Sequence, residues 1–233
     1  MTQTESGRWK LNGITPSEVL KMLPEMGKLM VIFRANGVTH ERIGVVGTTA
    51  EGDGFVTLKG DAHAAKIELS ALTGVVFDTS SEMQGRIYPR IEFSGDSDGP
   101  IVSIVGMEGP EPFVATISGA DHTETPPRKS LRTSDVSDQP KVDTDAGHIF
   151  LNGLLGLDVE IIARRSGFSQ RWQGRVDAVK PSMGFSNVMT PDFHLHLKTG
   201  TVAGWQEEGP EAHALDEKGM RTGLAIRRVG LSA

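Results

Sequence analysis

The sequence predicts an α+β protein built from two similar halves, each a large antiparallel β-sheet flanked by helices. Three observations support this fold class. Short apolar runs alternate with turn residues along most of the chain, which contains 28 glycines and 12 prolines. A polar stretch divides these runs into two series. The order of the runs is repeated after that stretch, which indicates a degenerate tandem duplication.

A short helix is predicted near the start of the chain. Thr15 is a favourable cap, Pro16 suits the first helical position, and Glu18 is placed to complete a capping box. An apolar stripe that can lie on a sheet is supplied by Val19, Leu20, Leu23 and Met26. Pro24 then ends the helix early.

Strands follow this helix. Leu29 to Arg34 and Val38 to Val46 are apolar runs on either side of Asn36-Gly37, a dipeptide that strongly favours a β-hairpin. We expect an antiparallel meander behind the helix. Five further strands are predicted, over residues 55–58, 65–69, 74–77, 90–93 and 101–105.

The segment 118–145 is predicted to be a flexible polar linker. Its apolar residues are few among Pro, Ser, Thr and mixed charges, so it cannot bury enough surface to offset its ordering entropy. The linker divides the chain into a first repeat, residues 11–117, and a second repeat, residues 146–233.

The two predicted repeats share matching positions. VIFRANGVTHERIGVV, which begins at residue 31, parallels IIARRSGFSQRWQGRV, which begins at residue 161. IELSALTGVVF from residue 67 likewise parallels LHLKTGTVAGW from residue 195. The matched positions in the first pair of segments are Arg34 with Arg164, Gly37 with Gly167, and Gly44 with Gly174.

Residues 193–198 alternate strictly in polarity, which predicts a strand with one face in a core and the other facing solvent or a ligand. Gly200 is expected to turn the chain so that residues 201–205 return antiparallel to this strand. The apolar face carries Phe193, Leu195 and Leu197, and the polar face carries His194, His196 and Lys198.

The amino-acid sequence of this region resembles that of a known family. NVMTPDFHLHLK, residues 187–198, is similar to a segment reading roughly NVLDPDFNLHLR in the bacterial haem-utilisation proteins, the HemS/ChuX-like cytosolic haem carriers and haem-degrading factors. Trp205 falls where that family has a tryptophan, and residues 180–184 resemble its KPMG-type turn. The resemblance implies a two-repeat HemS/ChuX-like fold, haem or a related tetrapyrrole as ligand, and a role in haem binding and trafficking.

The sequence departs from the family at the proximal haem ligand. In the family this ligand is a histidine that follows a segment of the type FFDxxGxxxHK. In the corresponding run of this chain, Val102 stands at the histidine position and Ser103 at the lysine position. Valine cannot ligate iron. Three hypotheses therefore stand: a haem carrier with a rearranged axial ligand, an oxidative haem-degrading enzyme, and a scaffold that has lost haem and binds another small ligand or a protein.

Haem binding requires an axial donor, cations for the propionates and an apolar slot. His196 is the candidate iron ligand and His194 lies on the same strand face, while Lys180, Arg90 and Lys66 are candidate cations for the propionates. Two imidazoles two residues apart on a strand can also bind a transition metal, but a third ligand is not identified. The alternative for His196 is a half-exposed side chain with a structural role.

Composition excludes several classes of function. The chain has 24 Lys and Arg against 30 Asp and Glu, a formal net charge of −6, so no overall cationic field is available to bind nucleic acid. It has no cysteine, which excludes disulfides, thiolate metal ligands and a cysteine nucleophile. The motifs of serine hydrolases, P-loop NTPases, zinc peptidases and Rossmann enzymes do not occur.

The first ten residues contain no apolar run of signal-peptide length, and no segment approaches the roughly 20 apolar residues of a membrane span. We therefore expect a cytoplasmic protein without a membrane span, as a monomer or homodimer. The family resemblance adds haem-uptake or haem-oxygenase proteins as expected partners.

Overall fold

The computed structural model describes residues 6–96, 99–127 and 142–230. In the first half of the chain the helices are α1 (Pro16–Lys21) and α2 (Glu111–Ile117). The strands there are β1 (Arg8–Asn12), β2 (Lys28–Ala35), β3 (Val38–Val45), β4 (Thr48–Gly52), β5 (Phe55–Lys59), β6 (Ala64–Glu68), β7 (Gly74–Asp78), β8 (Glu82–Met83), β9 (Arg86–Ile87), β10 (Arg90–Ser94), β11 (Pro100–Gly106) and β12 (Asp121–Glu124).

In the described part of the second half, a 3-10 turn (Val142–Thr144) precedes one α-helix, α3 (Ala146–Asn152), and the elements after it are strands. These strands are β13 (Asp158–Arg165), β14 (Phe168–Arg175), β15 (Lys180–Ser182), β16 (Phe185–Thr190), β17 (Phe193–Lys198), β18 (Gly204–Glu208), β19 (Glu211–Leu215) and β20 (Arg221–Arg228).

The predicted start of α1 is confirmed. The Thr15 side chain accepts a hydrogen bond from the backbone N–H of Glu18, and the Glu18 carboxylate accepts from the backbone N–H of Thr15 at 2.7 Å. Each residue therefore satisfies an amide that the helix itself leaves unpaired. The α-helix ends at Lys21, and a 3-10 turn over Leu23–Glu25 completes the element.

The β2–β3 hairpin and the five further strands of the first half are also confirmed. Asn36 and Gly37 have φ values of 45° and 73°, the left-handed conformations that a two-residue hairpin turn requires. Of the predicted linker, residues 121–124 form β12, which pairs with β1, and residues 128–141 lie outside the described residues.

The chain divides into two compact units. Unit 1 consists of Met1–Ile32, Arg42–Ser130 and Ser166–Phe168. Unit 2 consists of Phe33–Glu41, Leu131–Arg165 and Ser169–Ala233. Each unit is thus assembled from discontinuous segments, and the tip of the β2–β3 hairpin belongs to unit 2.

The strand orders confirm the predicted duplication. The first half contains the runs β7-β10-β11-β2 and β6-β5-β4, with β1 and β12 extending the former beyond β7. The second half contains the runs β18-β19-β20-β13 and β17-β16-β15. When each half is numbered from its own hairpin, β2–β3 or β13–β14, and the separate two-stranded sheet β8-β9 is left out, the two orders are the same. The prediction of a single meander in the first half is wrong. Strands β4, β5 and β6 form one run, but β7 pairs with β1 and β10 instead of β6.

The expected return of residues 201–205 against β17 is wrong. β17 pairs with β16 on one side and has β3 on the other, so both of its edges are occupied. Gly200, with a φ of 81°, turns the chain away, and Trp205 lies on β18, which pairs with β19.

Each unit has its own aromatic core. In unit 1, Trp9 stacks on Phe77 and Phe77 on Phe113, with ring centroids 6.0 Å and 6.4 Å apart. In unit 2, Trp172 stacks on Phe193 at 4.3 Å. Among the described residues, no helix is long and apolar enough to cross a membrane.

Candidate functional site

The two faces of β17 differ as the sequence predicts. Phe193, Leu195 and Leu197 are completely buried. Helix α3 packs on this apolar face at Gly147, where an added Cβ would come within 2.6 Å of the Leu197 side chain. The opposite face presents His194 and His196, whose side chains are 22% and 28% exposed.

Glu41 completes a cluster with these two histidines. It lies on β3, the neighbour of β17, and is only 9% exposed. Its Oε2 atom is 3.2 Å from Nδ1 of His194 and 3.7 Å from Nε2 of His196. The two imidazole rings are 5.8 Å apart between centroids. One carboxylate oxygen therefore faces a nitrogen of each ring.

The two histidines stabilise the ionised form of Glu41. Burial alone would raise the pKa of this carboxyl group, but hydrogen bonds from His194 and His196 lower the pKa to about 2. The cluster thus holds a fixed negative charge beside two imidazoles.

Asn187, on β16, fixes the orientation of the His196 ring. Its side-chain amide nitrogen donates to the backbone carbonyls of Lys180 and Phe185, at 2.9 Å and 3.2 Å. A carbonyl can only accept, so the amide oxygen of Asn187 must be the atom that faces His196. This oxygen is 2.6 Å from Nδ1 of His196, which therefore carries a proton and donates it. In the neutral ring, Nε2 is left with a free lone pair.

The three side chains form a potential ligand set. One atom from each of Glu41, His194 and His196 can be chosen so that all three lie within 4.8 Å of one another. Two imidazoles and a carboxylate can share protons, or they can coordinate a metal ion.

Cationic and apolar groups surround the cluster on the same sheet face. Lys180 is opposite Asn187, which is opposite His196, so these three side chains form a row across β15, β16 and β17. Met189 is opposite His194 and is 57% exposed. Lys198 continues the face along β17 and is exposed.

The other predicted cations belong to unit 1. Lys66 lies over the ring of Phe55, with its Nζ 3.8 Å from the ring centroid. Arg90 is on β10, in register with Val105 of β11. Val102 is buried on β11 opposite Phe93.

The buried histidine of α3, His148, has a structural role. His148 is 6% exposed, and its Nδ1 atom lies 2.8 Å from the hydroxyl of Ser186. Its Nε2 atom lies 2.8 Å from the side-chain amide of Asn152. With both ring nitrogens engaged inside the protein, His148 is a packing residue.

Sequence reasoning missed Glu41 and the role of Asn187. In the sequence, Asn187 stands out only as part of the family-like segment, and Glu41 carries no signal of its own. Thr39, Glu41 and Ile43 lie on the same face of a predicted strand, because every second residue of a strand points to the same side. This pattern does not indicate which residues contact Glu41.

Comparison with known proteins identifies the fold. No protein-family model matches the sequence, and no curated protein matches it. Among solved structures the chain is similar to ChuS, described as an E. coli haem oxygenase, with a TM-score of 0.73 and 14% identity over 95% of this chain and 83% of that one.

The chain is also similar to PhuS, described as a haem-binding protein from Pseudomonas aeruginosa. For apo-PhuS the TM-score is 0.71 at 14% identity, covering 96% of this chain and 82% of that chain. For holo-PhuS the TM-score is 0.73 at 14% identity, covering 97% and 82%. This protein therefore has the two-repeat HemS/ChuX-like fold that its sequence predicts.

Proposed function

We propose that this protein binds haem and acts as a haem carrier in the cytoplasm. The observation that carries the proposal is the fold: nearly the whole chain superimposes on ChuS, described as a haem oxygenase, and on PhuS, described as a haem-binding protein. Because a fold alone does not determine function, the proposal also depends on the residues at the candidate site.

The residues on the polar face of β17 fit the chemical needs of haem. Haem iron is usually held by a neutral imidazole, and the hydrogen bond to Asn187 keeps the proton of the neutral His196 ring on Nδ1, so that Nε2 would be the ligand atom. Lys180 and Lys198 are exposed cations on the same face and suit propionates. The exposed thioether side chain of Met189 offers apolar contact. When bound, haem iron would supply the redox and oxygen chemistry, and these residues would hold the group.

Carriage is favoured over degradation by the residue at position 102. Oxygen activation depends on the electronic push of the proximal ligand, whereas transport requires only that haem be held and released. Val102 has no ligand atom, so any axial donor must come from elsewhere. A relocated ligand is compatible with a carrier more readily than with an oxygenase.

Hemin titration tests the proposal. The purified protein is expected to produce a saturable, shifted Soret band at about one equivalent of hemin. In His196→Ala the band is expected to be lost or to weaken at least about tenfold, because the imidazole donor is removed. His122→Ala, which removes an exposed histidine on β12, is the matched control and should titrate like the native protein.

Two outcomes would count against the proposal. A spectrum that stays that of free hemin would leave a scaffold that binds another small ligand or a protein. A shifted Soret band that decays when ascorbate is added under oxygen would indicate a haem-degrading enzyme, whereas a band that persists supports the carrier.

A further inference from the structure

We propose that Glu41, His194 and His196 bind a divalent first-row transition-metal ion, without a macrocycle. This inference does not depend on haem binding. It follows from the charges, lone pairs and distances of the three side chains, and from the position of Asn187 behind them.

Glu41 and His196 face each other across a short gap. Asn187 requires the proton of a neutral His196 ring to be on Nδ1, so Nε2 presents a lone pair. This nitrogen is 3.7 Å from Oε2 of the Glu41 carboxylate. Two electron-rich atoms held this close repel each other unless a cation lies between them. In the metal-free protein a proton can fill this role, and a metal ion can take its place.

The distances between the three side chains are close to those of a metal site. Ligand atoms about 2.0–2.1 Å from a tetrahedral ion lie about 3.3 Å from each other. The separations from Glu41 Oε2 to His194 Nδ1 and His196 Nε2 are 3.2 Å and 3.7 Å. One donor atom from each of the three residues lies within 4.8 Å of the others, so the rings must move to bring all three donors to the spacing of one ion.

Asn187 supports His196 as a ligand. A metal-binding imidazole almost always donates its second ring N–H to an acceptor, which sets the tautomer and the ring orientation. The 2.6 Å contact from His196 to Asn187 supplies this acceptor. Asn187 is 8% exposed and is itself held by two backbone carbonyls, so the acceptor is rigid.

The three donor groups indicate which class of ion would bind. Two imidazoles and one carboxylate form the donor set of open zinc sites and of mononuclear non-haem iron sites, while Mg²⁺ and Ca²⁺ prefer oxygen donors. Both histidines are about a quarter exposed, so water can complete the coordination. The site is therefore an open one, accessible to an exchangeable ligand.

Co²⁺ titration is the test, because Co²⁺ substitutes for zinc and reports its coordination through visible d–d absorption. The full chain, stripped of metal with chelator, is expected to bind one Co²⁺ with absorption typical of four or five ligands. Excess Zn²⁺ should displace it. Glu41→Gln, which keeps the shape of the side chain, should weaken Co²⁺ binding by about 100-fold or more, and Asn187→Ala by about 10–100-fold.

The controls separate ligand loss from misfolding. Glu207→Gln, an exposed residue of β18 in the same unit, should bind Co²⁺ like the native protein. Far-ultraviolet circular dichroism and thermal unfolding of each variant should show that the fold is kept. If Co²⁺ absorption does not saturate below about millimolar concentrations, or if Glu41→Gln binds like Glu207→Gln, the metal site does not exist.

The outcomes also distinguish this inference from the proposed haem function. Removing the Glu41 carboxylate deletes a metal ligand but leaves the Nε2 lone pair of His196 available to haem. Co²⁺ binding without a shifted Soret band would refute the haem proposal alone. A shifted Soret band without Co²⁺ binding would refute the metal site alone. If both ligands bind, they should compete, since both use His196.

Discussion

At the scale of single residues, His63 is an acid-sensitive position. It is 3% exposed, and its Nε2 atom lies 3.0 Å from the backbone carbonyl of Gly44 in unit 1. Burial lowers the pKa of this imidazole below its ordinary value of 6.5; the hydrogen bond to Gly44 raises it, and the positive charge of Arg42 lowers it further. The folded protein therefore holds His63 neutral where the unfolded chain would protonate it.

The sign of the pH dependence follows from this shift. Below about pH 6.5 the unfolded state binds a proton that the folded state does not, so the free energy of unfolding should fall with decreasing pH, by at most about 1.4 kcal/mol per pH unit. His63→Gln keeps a donor for Gly44 but cannot titrate. Urea unfolding of both proteins from pH 8 to pH 5 should show a stability difference that changes with pH. Parallel curves would show that His63 does not contribute to the pH dependence.

The metal cluster shows which residues local sequence can identify. His194 and His196 follow from the alternation within one six-residue strand. Glu41 is 153 residues away from His194 in the chain and meets it because β3 lies beside β17. Asn187 likewise acquires its role from the β16–β17 register, in which it stands opposite His196. Strand pairing of this kind leaves no local pattern, so a ligand on the neighbouring strand could not be predicted.

At the scale of elements, Asp145 links α3 to the end of β17. Its Oδ1 atom accepts from the backbone N–H of His148 in the first turn of the helix, and its Oδ2 atom accepts from the N–H of Gly200. The side chain is 7% exposed, so water can replace neither bond efficiently. The cap therefore holds α3 on the apolar face of the strand whose other face carries the histidines.

Asp145→Ala is expected to lower the free energy of unfolding by about 2–3 kcal/mol, because a cap and a second charge-assisted bond are lost together. Thr15→Ala is the comparison, since Thr15 caps α1 on an exposed surface and its loss should cost about 1 kcal/mol. Urea unfolding at constant pH measures both values. Equal losses would mean that the bond to Gly200 adds nothing to the cap.

Elements whose ends are encoded locally could be predicted closely. The Thr15 capping box and the Asn36-Gly37 turn are such cases, because the residues that form them are adjacent or three apart. Residues 201–205 are the opposite case: a glycine turn after a strand also suits a hairpin, but the neighbouring strands had already filled both edges of β17. Turn chemistry predicts where a strand ends and leaves its partner undetermined.

At the scale of the whole molecule, the duplication was predictable but the composition of the units was not. Matched glycines and arginines in the two halves indicate a repeat, and the matching strand orders confirm it. No sequence feature indicates that Phe33–Glu41 belongs to unit 2. Within that unit, the backbone N–H of Lys198 donates to the carbonyl of Gly37 at 2.9 Å, and the buried amide of Gln170 donates to the carbonyl of His40 at 2.7 Å.

The prediction that the second repeat is a separate domain can be tested by removing these contacts. A fragment of residues 142–233 lacks the hairpin tip, so the Gln170 amide would lose its acceptor and Phe193 would lose the His40 ring, which packs 4.8 Å away. We expect the fragment alone to show the narrow amide dispersion of an unfolded chain in a two-dimensional NMR spectrum, and to regain native dispersion when a fragment of residues 1–127 is added. A separately expressed 142–233 fragment with native-like dispersion would establish the second repeat as an independent domain and would make the hairpin tip dispensable for its folding.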